Sequence, residues 1–259
     1  MEILNALFRW THILAGIIWI GMLYFFNFVN GPFQGTLDAE SKKKVNPELM
    51  GRTLWWFRWG AAWTWVTGVV LLLIVFYHGG IMFQPDKGWN AAAGVMVAVT
   101  FLAVFLYDAL HKSPLGKDPK VFGTVSFVLA TAAIWLMASW AGFSYRAFNI
   151  HLAALMGTAM AFNVWYRIWP AQQKILAAVK GGTAPEGALV ALAGTRSRHN
   201  TYMSAPLFWG MVNSHTTTFA GGNLGITEST AFLVYPVFIL ISWHVIWQLY
   251  KRAPKVKGL

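Results

Sequence analysis

Seven stretches of predominantly apolar residues run through this chain, near Leu7–Asn30, Thr53–Tyr77, Asn90–Leu110, Val121–Gly142, Arg146–Trp169, Thr201–Phe219 and Ser229–Tyr250. Each approaches the roughly 20 residues that a helix needs to cross the hydrocarbon core of a bilayer. The fold class implied is an all-α integral membrane protein, a bundle of about seven transmembrane helices forming one domain over residues 1–259. A hydrophobic share of 57% against 11% charged residues leaves too little polar material to coat a water-soluble globule. The sixth stretch is the most polar, because Asn213, Ser214 and Thr216 to Thr218 close it, and a polar end of that kind suits the lining of a site. The first stretch follows only Met1 to Trp10 and is too long for a signal-peptide core, so it reads as a retained helix.

Basic residues orient the bundle. With the N-terminus outside, the inner segments hold Lys42, Lys43, Lys44, Arg52, Arg58, Lys112, Lys117, Lys120, Arg167, Lys174, Lys180, Arg196, Arg198, Lys251, Arg252, Lys255 and Lys257, which is 17 of 20. The outer segments keep only Arg9, Lys87 and Arg146, so an odd number of spans, N-out and C-in, obeys the positive-inside rule. The net charge of +11 is thereby explained by topology, and no nucleic-acid partner is expected. The connection from Gly31 to Arg52 reads as a solvated loop, and Pro170 to Asn200, broken at Gly181–Gly182, as one or two short interfacial helices on the inner face. Arg58, inside the aromatic run Trp55, Trp56, Phe57, Trp59, Trp63 and Trp65, reads as a residue snorkelling to the interface.

Histidine within a span is expensive unless partnered, which makes the seven His positions informative. His12 and His151 share a depth, each about one and a half turns below the outer boundary, with His215 and His78 near the same face. His111, His199 and His244 stand toward the inner side. The absence of Cys removes disulfides, thiolate metal sites, iron–sulfur clusters and covalent c-type haem from this sequence, so a redox centre would rest on His or Met. Haem b needs axial imidazoles and cations for its propionates. Here His12 and His151 are the first-choice ligands, His215 the alternative, and His244 with His111 or His199 a second site if two haems are held. Arg9, three residues before His12, and Arg146, above His151, are the propionate candidates. A histidine merely hydrogen-bonded between helices is the competing reading at each position. Asp108 and Glu228 are too far apart to act as a carboxylate pair, the Gly221–Gly225 loop has no phosphate-cradle pattern, and Ser214–His215 forms no triad.

Four segments carry a family resemblance. Arg9 to Gly21 with Asn27 to Gln34, Arg52 to Arg58, His151 to Gln173 with Asn163 and Pro170, and above all Arg196–Ser197–Arg198–His199–Asn200–Thr201–Tyr202 running to Asn213–Ser214–His215, together resemble the membrane domain of the bacterial membrane-bound urate oxidase (PuuD) family. The resemblance implies a multi-helix domain in a bacterial inner (cytoplasmic) membrane that passes electrons from substrate oxidation to a cytochrome c, carried at the C-terminus of longer family members. Because this sequence has no Cys and ends at Leu259, the expected acceptor is a separate cytochrome c-type protein, with a dehydrogenase subunit as the other expected partner. A shorter likeness of the Arg–Trp–Thr–His opening is to haem-binding HemJ-type protoporphyrinogen oxidases and copper-resistance D proteins.

The resulting reading is a b-type haem protein passing electrons between a substrate-oxidising site or partner dehydrogenase and a cytochrome. Three alternatives stay open. The chain oxidises urate or another purine itself, with Arg196, His199, Asn200 and Asn213 as the catalytic candidates; it is a cofactor-free anchor; or it moves copper. The orientation is directly testable: reporters fused at Leu259 are expected to sit in the cytoplasm and reporters at Met1 outside, and periplasmic exposure of the C-terminal reporter would change the span count and move every His to the other face.

Overall fold

The computed structural model describes residues 1–215, 218–220, 225–227 and 229–258. Thr216, Thr217, most of the Gly221–Gly225 loop and Glu228, singled out above, lie outside the described residues. Among the described residues seven long helices stand out: α1 (Glu2–Gln34), α2 (Ala39–Tyr77), α3 (Ala91–Lys112), α4 (Pro119–Ser139), α5 (Tyr145–Lys180), α6 (Gly187–Asn213) and α7 (Ala231–Lys255). All but α6 are long and apolar enough to cross a membrane, and their outward residues, such as Ile17, Leu102, Phe105 and Val237, are large and apolar, as lipid contact requires. The protein is a multi-pass membrane protein. At 27 residues α6 is also about 40 Å long, but its charged and polar residues lower its mean hydropathy; Arg196, Asn200, Thr201 and Ser204 are all buried. It keeps its polar groups away from lipid by turning them inward.

Two connections differ from the sequence expectation. Most of the Gly31–Arg52 segment is helical, because Asp38 accepts the backbone N–H and hydroxyl of Ser41, both at 2.8 Å, and starts α2 fourteen residues before Thr53. The same bonds hold the Asp38 carboxyl below its ordinary range. Exposed i,i+4 pairs, Glu40 with Lys44 and Glu48 with Arg52, line this extension. The segment after Pro170 likewise extends α5 to Lys180 instead of forming a separate helix; the break falls at Gly181–Gly182, as the sequence suggested, with Gly182 at φ +75°.

The described chain groups into two compact units. The first comprises Met1–Val69, Met160–Met203 and His244–Leu259, and the second Val70–Ala159 and Ser204–Trp243. In the first unit α1 and α2 approach closely where Gly60 lies against the backbone of Trp19 and Ala15; a Cβ there would meet Trp19 N at 3.0 Å. Trp19, Leu23, Phe57 and Ala61 form the surrounding core, with Phe26 packed edge-on against Phe57 at 5.3 Å.

In the second unit the α2–α3 and α4–α5 connections are tied together. Gln84 N–H donates to Gly142 O, Ser144 N–H to Met82 O, and the Gln84 side-chain amide to the carbonyls of Ala138 and Phe143. Deeper, α5, α6 and α7 meet at Gly210, where a Cβ would lie 2.5 Å from Tyr235 Oη and 2.8 Å from both Ala153 Cβ and Asn149 O. Tyr235, fully buried, donates its hydroxyl to Pro206 O, the carbonyl one turn before Gly210. Gly210→Ala is therefore expected to cost about 1–3 kcal/mol through overpacking. Gly94→Ala on α3, where nothing lies within 4 Å, is expected to be neutral. Thermal unfolding in detergent micelles reads both, and equal melting temperatures would refute the close packing at Gly210.

Candidate functional site

Among the described residues three of the long helices contain a π turn, at Phe25–Asn30 in α1, Leu72–Tyr77 in α2 and Val164–Ile168 in α5. Each adds a residue to a turn and rotates the face that follows, a device often found at functional positions. Polar groups gather at all three. In the first unit Asn27, inside the α1 π turn, donates its amide to Leu23 O and to Ser197 Oγ and accepts from the Tyr250 hydroxyl at 2.8 Å. Tyr250 stacks on Tyr202 and carries the Arg198 guanidinium over its ring at 5.3 Å.

A second chain of bonds begins at Asn163, the residue before the α5 π turn. Asn163 accepts from Arg196 Nη1 at 3.3 Å and donates to Asn200 Oδ1 at 2.8 Å, and Asn200 donates on to Met160 O at 3.0 Å. Arg196, Asn163 and Asn200 are each 0% exposed. An Arg guanidinium stays charged at any physiological pH, so at this depth it must be met by oxygen acceptors. The spacing explains why α6 can do this: Arg196 and Asn200 are four apart, on one face of the helix.

His12 also belongs to the first unit. Its Nδ1 lies 2.9 Å from Thr64 O and 3.2 Å from Thr67 Oγ1, and both Thr hydroxyls are themselves committed to the α2 carbonyls of Gly60 and Trp63. A carbonyl only accepts, so Nδ1 carries the proton and Nε2 the lone pair. Nε2 makes no hydrogen bond among the described residues. Gly68 leaves room for the ring; a Cβ there would sit 3.0 Å from His12 Cε1. Arg9, one turn earlier, donates Nε to Asn5 Oδ1 at 2.7 Å. His244 lies on an exposed face, hydrogen-bonded to Gln248 at 3.1 Å, and His199 is half-buried beside Asn200 in sequence.

In the second unit His151 is 0% exposed, with Nδ1 2.7 Å from Ala147 O and Nε2 3.0 Å from the Tyr77 hydroxyl. By the same argument Nδ1 is protonated and Nε2 accepts from Tyr77. The rings of Phe76, Tyr77 and Phe143 enclose it at centroid distances of 6.1, 5.5 and 5.0 Å. Both ring nitrogens are thus engaged, and metal ligation at Nε2 would require Tyr77 to leave. Arg146 donates Nε to Ser214 O at 2.6 Å, next to the exposed His215, while Asn213 donates to the Tyr145 hydroxyl. His111 packs edge-on against Phe122, and His78 is exposed. No group of three or more His, Asp or Glu gathers as a metal site among the described residues.

Of the sequence candidates, then, Arg196 and Asn200 share one network, Asn213 belongs to the other unit, and His12 and His151 fall in different units. As a ligand for haem iron, His12 fits, being oriented through Nδ1 with Nε2 uncommitted; His151, as placed, does not. Sequence reasoning missed Tyr77, Thr64 and Ser197 as partners and gave Asn163 and Asn27 no role of their own. The signal for Asn163 was there, since an amide within a 19-residue helical run of a membrane span demands an internal partner.

Residues 33–252 match the family model described as urate oxidase N-terminal. No curated protein and no solved structure matches. The matched range contains Asn163, Arg196 and Asn200, whereas His12 precedes it. The network is open to a direct test: Asn163→Leu removes an acceptor of Arg196 and a donor to Asn200, with an expected loss of about 2 kcal/mol. Thermal unfolding of the purified variant checks this, and an unchanged melting temperature would show that the amide holds nothing together.

Proposed function

The chain belongs to the urate oxidase N-terminal family, and on that premise we propose that it is the membrane redox module of a urate-oxidase-type system, holding b-type haem through His12. It passes electrons between a substrate-oxidising site or partner dehydrogenase and a cytochrome c-type acceptor. These 259 residues hold no Cys to attach c-type haem, so that acceptor lies outside them. The membrane is the inner membrane of a bacterium, with the N-terminus outside.

The observation that carries the reading is the His12 imidazole, fixed at Nδ1 by the Thr64 carbonyl and left uncommitted at Nε2. A backbone carbonyl on Nδ1–H sets the tautomer, orients the ring and raises the basicity of Nε2, the arrangement usual for metal-ligating histidines. Gly68 preserves the space into which the ring edge projects. Arg9, one turn away, supplies a cation for a propionate. A b-type haem held there supplies reversible one-electron chemistry at its iron.

A second reading, direct purine oxidation by this chain, draws on the planar guanidinium and amide groups of the Arg196–Asn163–Asn200 network, which match the donor and acceptor edges of a heterocycle but are buried and bonded to one another, so a substrate would have to replace those bonds. In that reading the network and His12 lie far apart on the α1 ladder: Asn27, whose amide reaches Ser197 beside Arg196, is fifteen residues beyond His12, about 22 Å along the helix.

One preparation tests both readings. The purified chain, reduced with dithionite, is expected to show a sharp b-type α band whose pigment extracts into acid acetone, and His12→Ala is expected to abolish or shift the band. A colourless but folded wild-type protein, or a spectrum indifferent to His12→Ala, would sink the haem assignment. Urate-dependent reduction of an artificial dye by the same protein, lost in Asn200→Leu, would favour the catalytic reading over electron transfer alone.

A further inference from the structure

Arg58 lies within the membrane-spanning helix α2, six residues beyond Arg52, about 9 Å along the axis. Unlike Arg52, which pairs with Glu48 at 2.7 Å, Arg58 has no carboxylate within ion-pair distance among the described residues. Its Nε is buried without a hydrogen-bond partner, and its guanidinium donates to no protein acceptor among the described residues. Three indoles hold it instead. The guanidinium carbon lies over the rings of Trp169, Trp165 and Trp59 at 4.0, 5.2 and 6.0 Å. The cage is braced internally: Trp165 Nε1 donates to the Arg58 carbonyl at 3.2 Å, and Trp59 packs edge-on against Trp165 at 5.5 Å. All of these residues belong to the first unit.

Ring faces attract a cation but accept none of the five N–H bonds that a guanidinium offers in its planar fork. A charge at this depth with unmet donors requires an oxygen acceptor from its surroundings. The surroundings can be identified. Helical side chains lean toward their own N-terminus, and the N-terminal end of α2 carries Lys42, Lys43, Lys44 and Arg52. Trp165 and Trp169 sit one turn apart where α5 runs toward Lys174 and Lys180. Trp55, Trp56 and Trp59 beside them are 47%, 53% and 38% exposed, as indoles are at headgroup level. Basic residues and Trp at one membrane face select negatively charged lipid over zwitterionic lipid.

We propose that Arg58, caged by Trp59, Trp165 and Trp169, is a binding site for the phosphate of an anionic phospholipid at the basic face of the membrane. The two terminal nitrogens of the guanidinium bind phosphate oxygens in bidentate fashion, and the surrounding indoles pack against the glycerol and upper acyl chains. The bare reading of Arg58 as a snorkelling residue leaves the three-indole cage without a purpose; a lipid phosphate accounts for both the orientation and the missing acceptor.

Native mass spectrometry of the full-length protein released from detergent, titrated with phosphatidylglycerol or with phosphatidylcholine of identical chains, tests this. Retention of phosphatidylglycerol well above phosphatidylcholine is expected, falling about tenfold in affinity in Arg58→Gln, with Arg58→Lys intermediate because an ammonium keeps the charge but not the fork. Arg52→Gln, at an exposed and already paired position, is expected to bind as wild type. If Arg58→Gln does not fold, Trp169→Leu keeps the charge and opens the cage, and a severalfold weakening is expected. Equal retention of both lipids, wild-type binding by Arg58→Gln or by Trp169→Leu, or displacement of the lipid by inorganic phosphate at the same concentration would each overturn the proposal.

Discussion

The hydrocarbon interior of a bilayer offers no water to a polar group, and the architecture of this protein follows from how its chain answers that. Backbone groups are answered by helix. Side chains are answered in two other ways. Where helices only need to touch, glycine removes the side chain altogether, as at Gly60 against Trp19 and at Gly210 against Tyr235, Ala153 and Asn149. Where a polar group is retained, it is tied to another: Asn163 to Arg196 and Asn200, Asn27 to Ser197 and Tyr250, His12 to Thr64, His151 to Tyr77 and Ala147. Lipid-facing positions are left to residues such as Ile17 and Leu102.

The π turns connect these two answers. A regular helix presents residues three and four apart on one face, which suits a continuous apolar stripe but fixes where a polar group points. An inserted residue rotates the next stretch by about 100°, so one helix can serve two faces. Asn27 and Tyr77 lie within such turns and Asn163 immediately before one. The polar network of the first unit and the His151 pocket of the second both depend on residues presented in this way.

The two histidines that look equivalent in sequence are chemically opposite in the fold. His12 is anchored at one nitrogen and uncommitted at the other, whereas His151 is closed at both and surrounded by three aromatic rings. The first arrangement suits a ligand, and the second locks α5 to the end of α2. Arg58 and Arg196 diverge similarly, one caged by indoles and the other bonded to an amide at full burial. In each pair the residue type is the same, and the neighbours decide the chemistry.

The sequence by itself determined that the chain is an all-helical, multi-pass membrane protein, because apolar run length is a one-dimensional quantity that a bilayer reads directly. It also marked the sixth stretch as the most polar, through Asn213, Ser214 and Thr216 to Thr218, and the specificity of the Arg196 to Tyr202 motif pointed to the family matched over residues 33–252. Helix ends at the lysine-rich connections were less legible: nothing in the polarity of Ala39–Arg52 separates an exposed helix held by Asp38 and i,i+4 pairs from a solvated loop. Tertiary structure alone decided which histidine keeps a free nitrogen, which amide meets Arg196 and which rings enclose Arg58. These depend on helix rotation and on π turns, and a side chain's partner across a helix interface, fifty-two residues away for His12 and Thr64, leaves no periodic trace in the sequence.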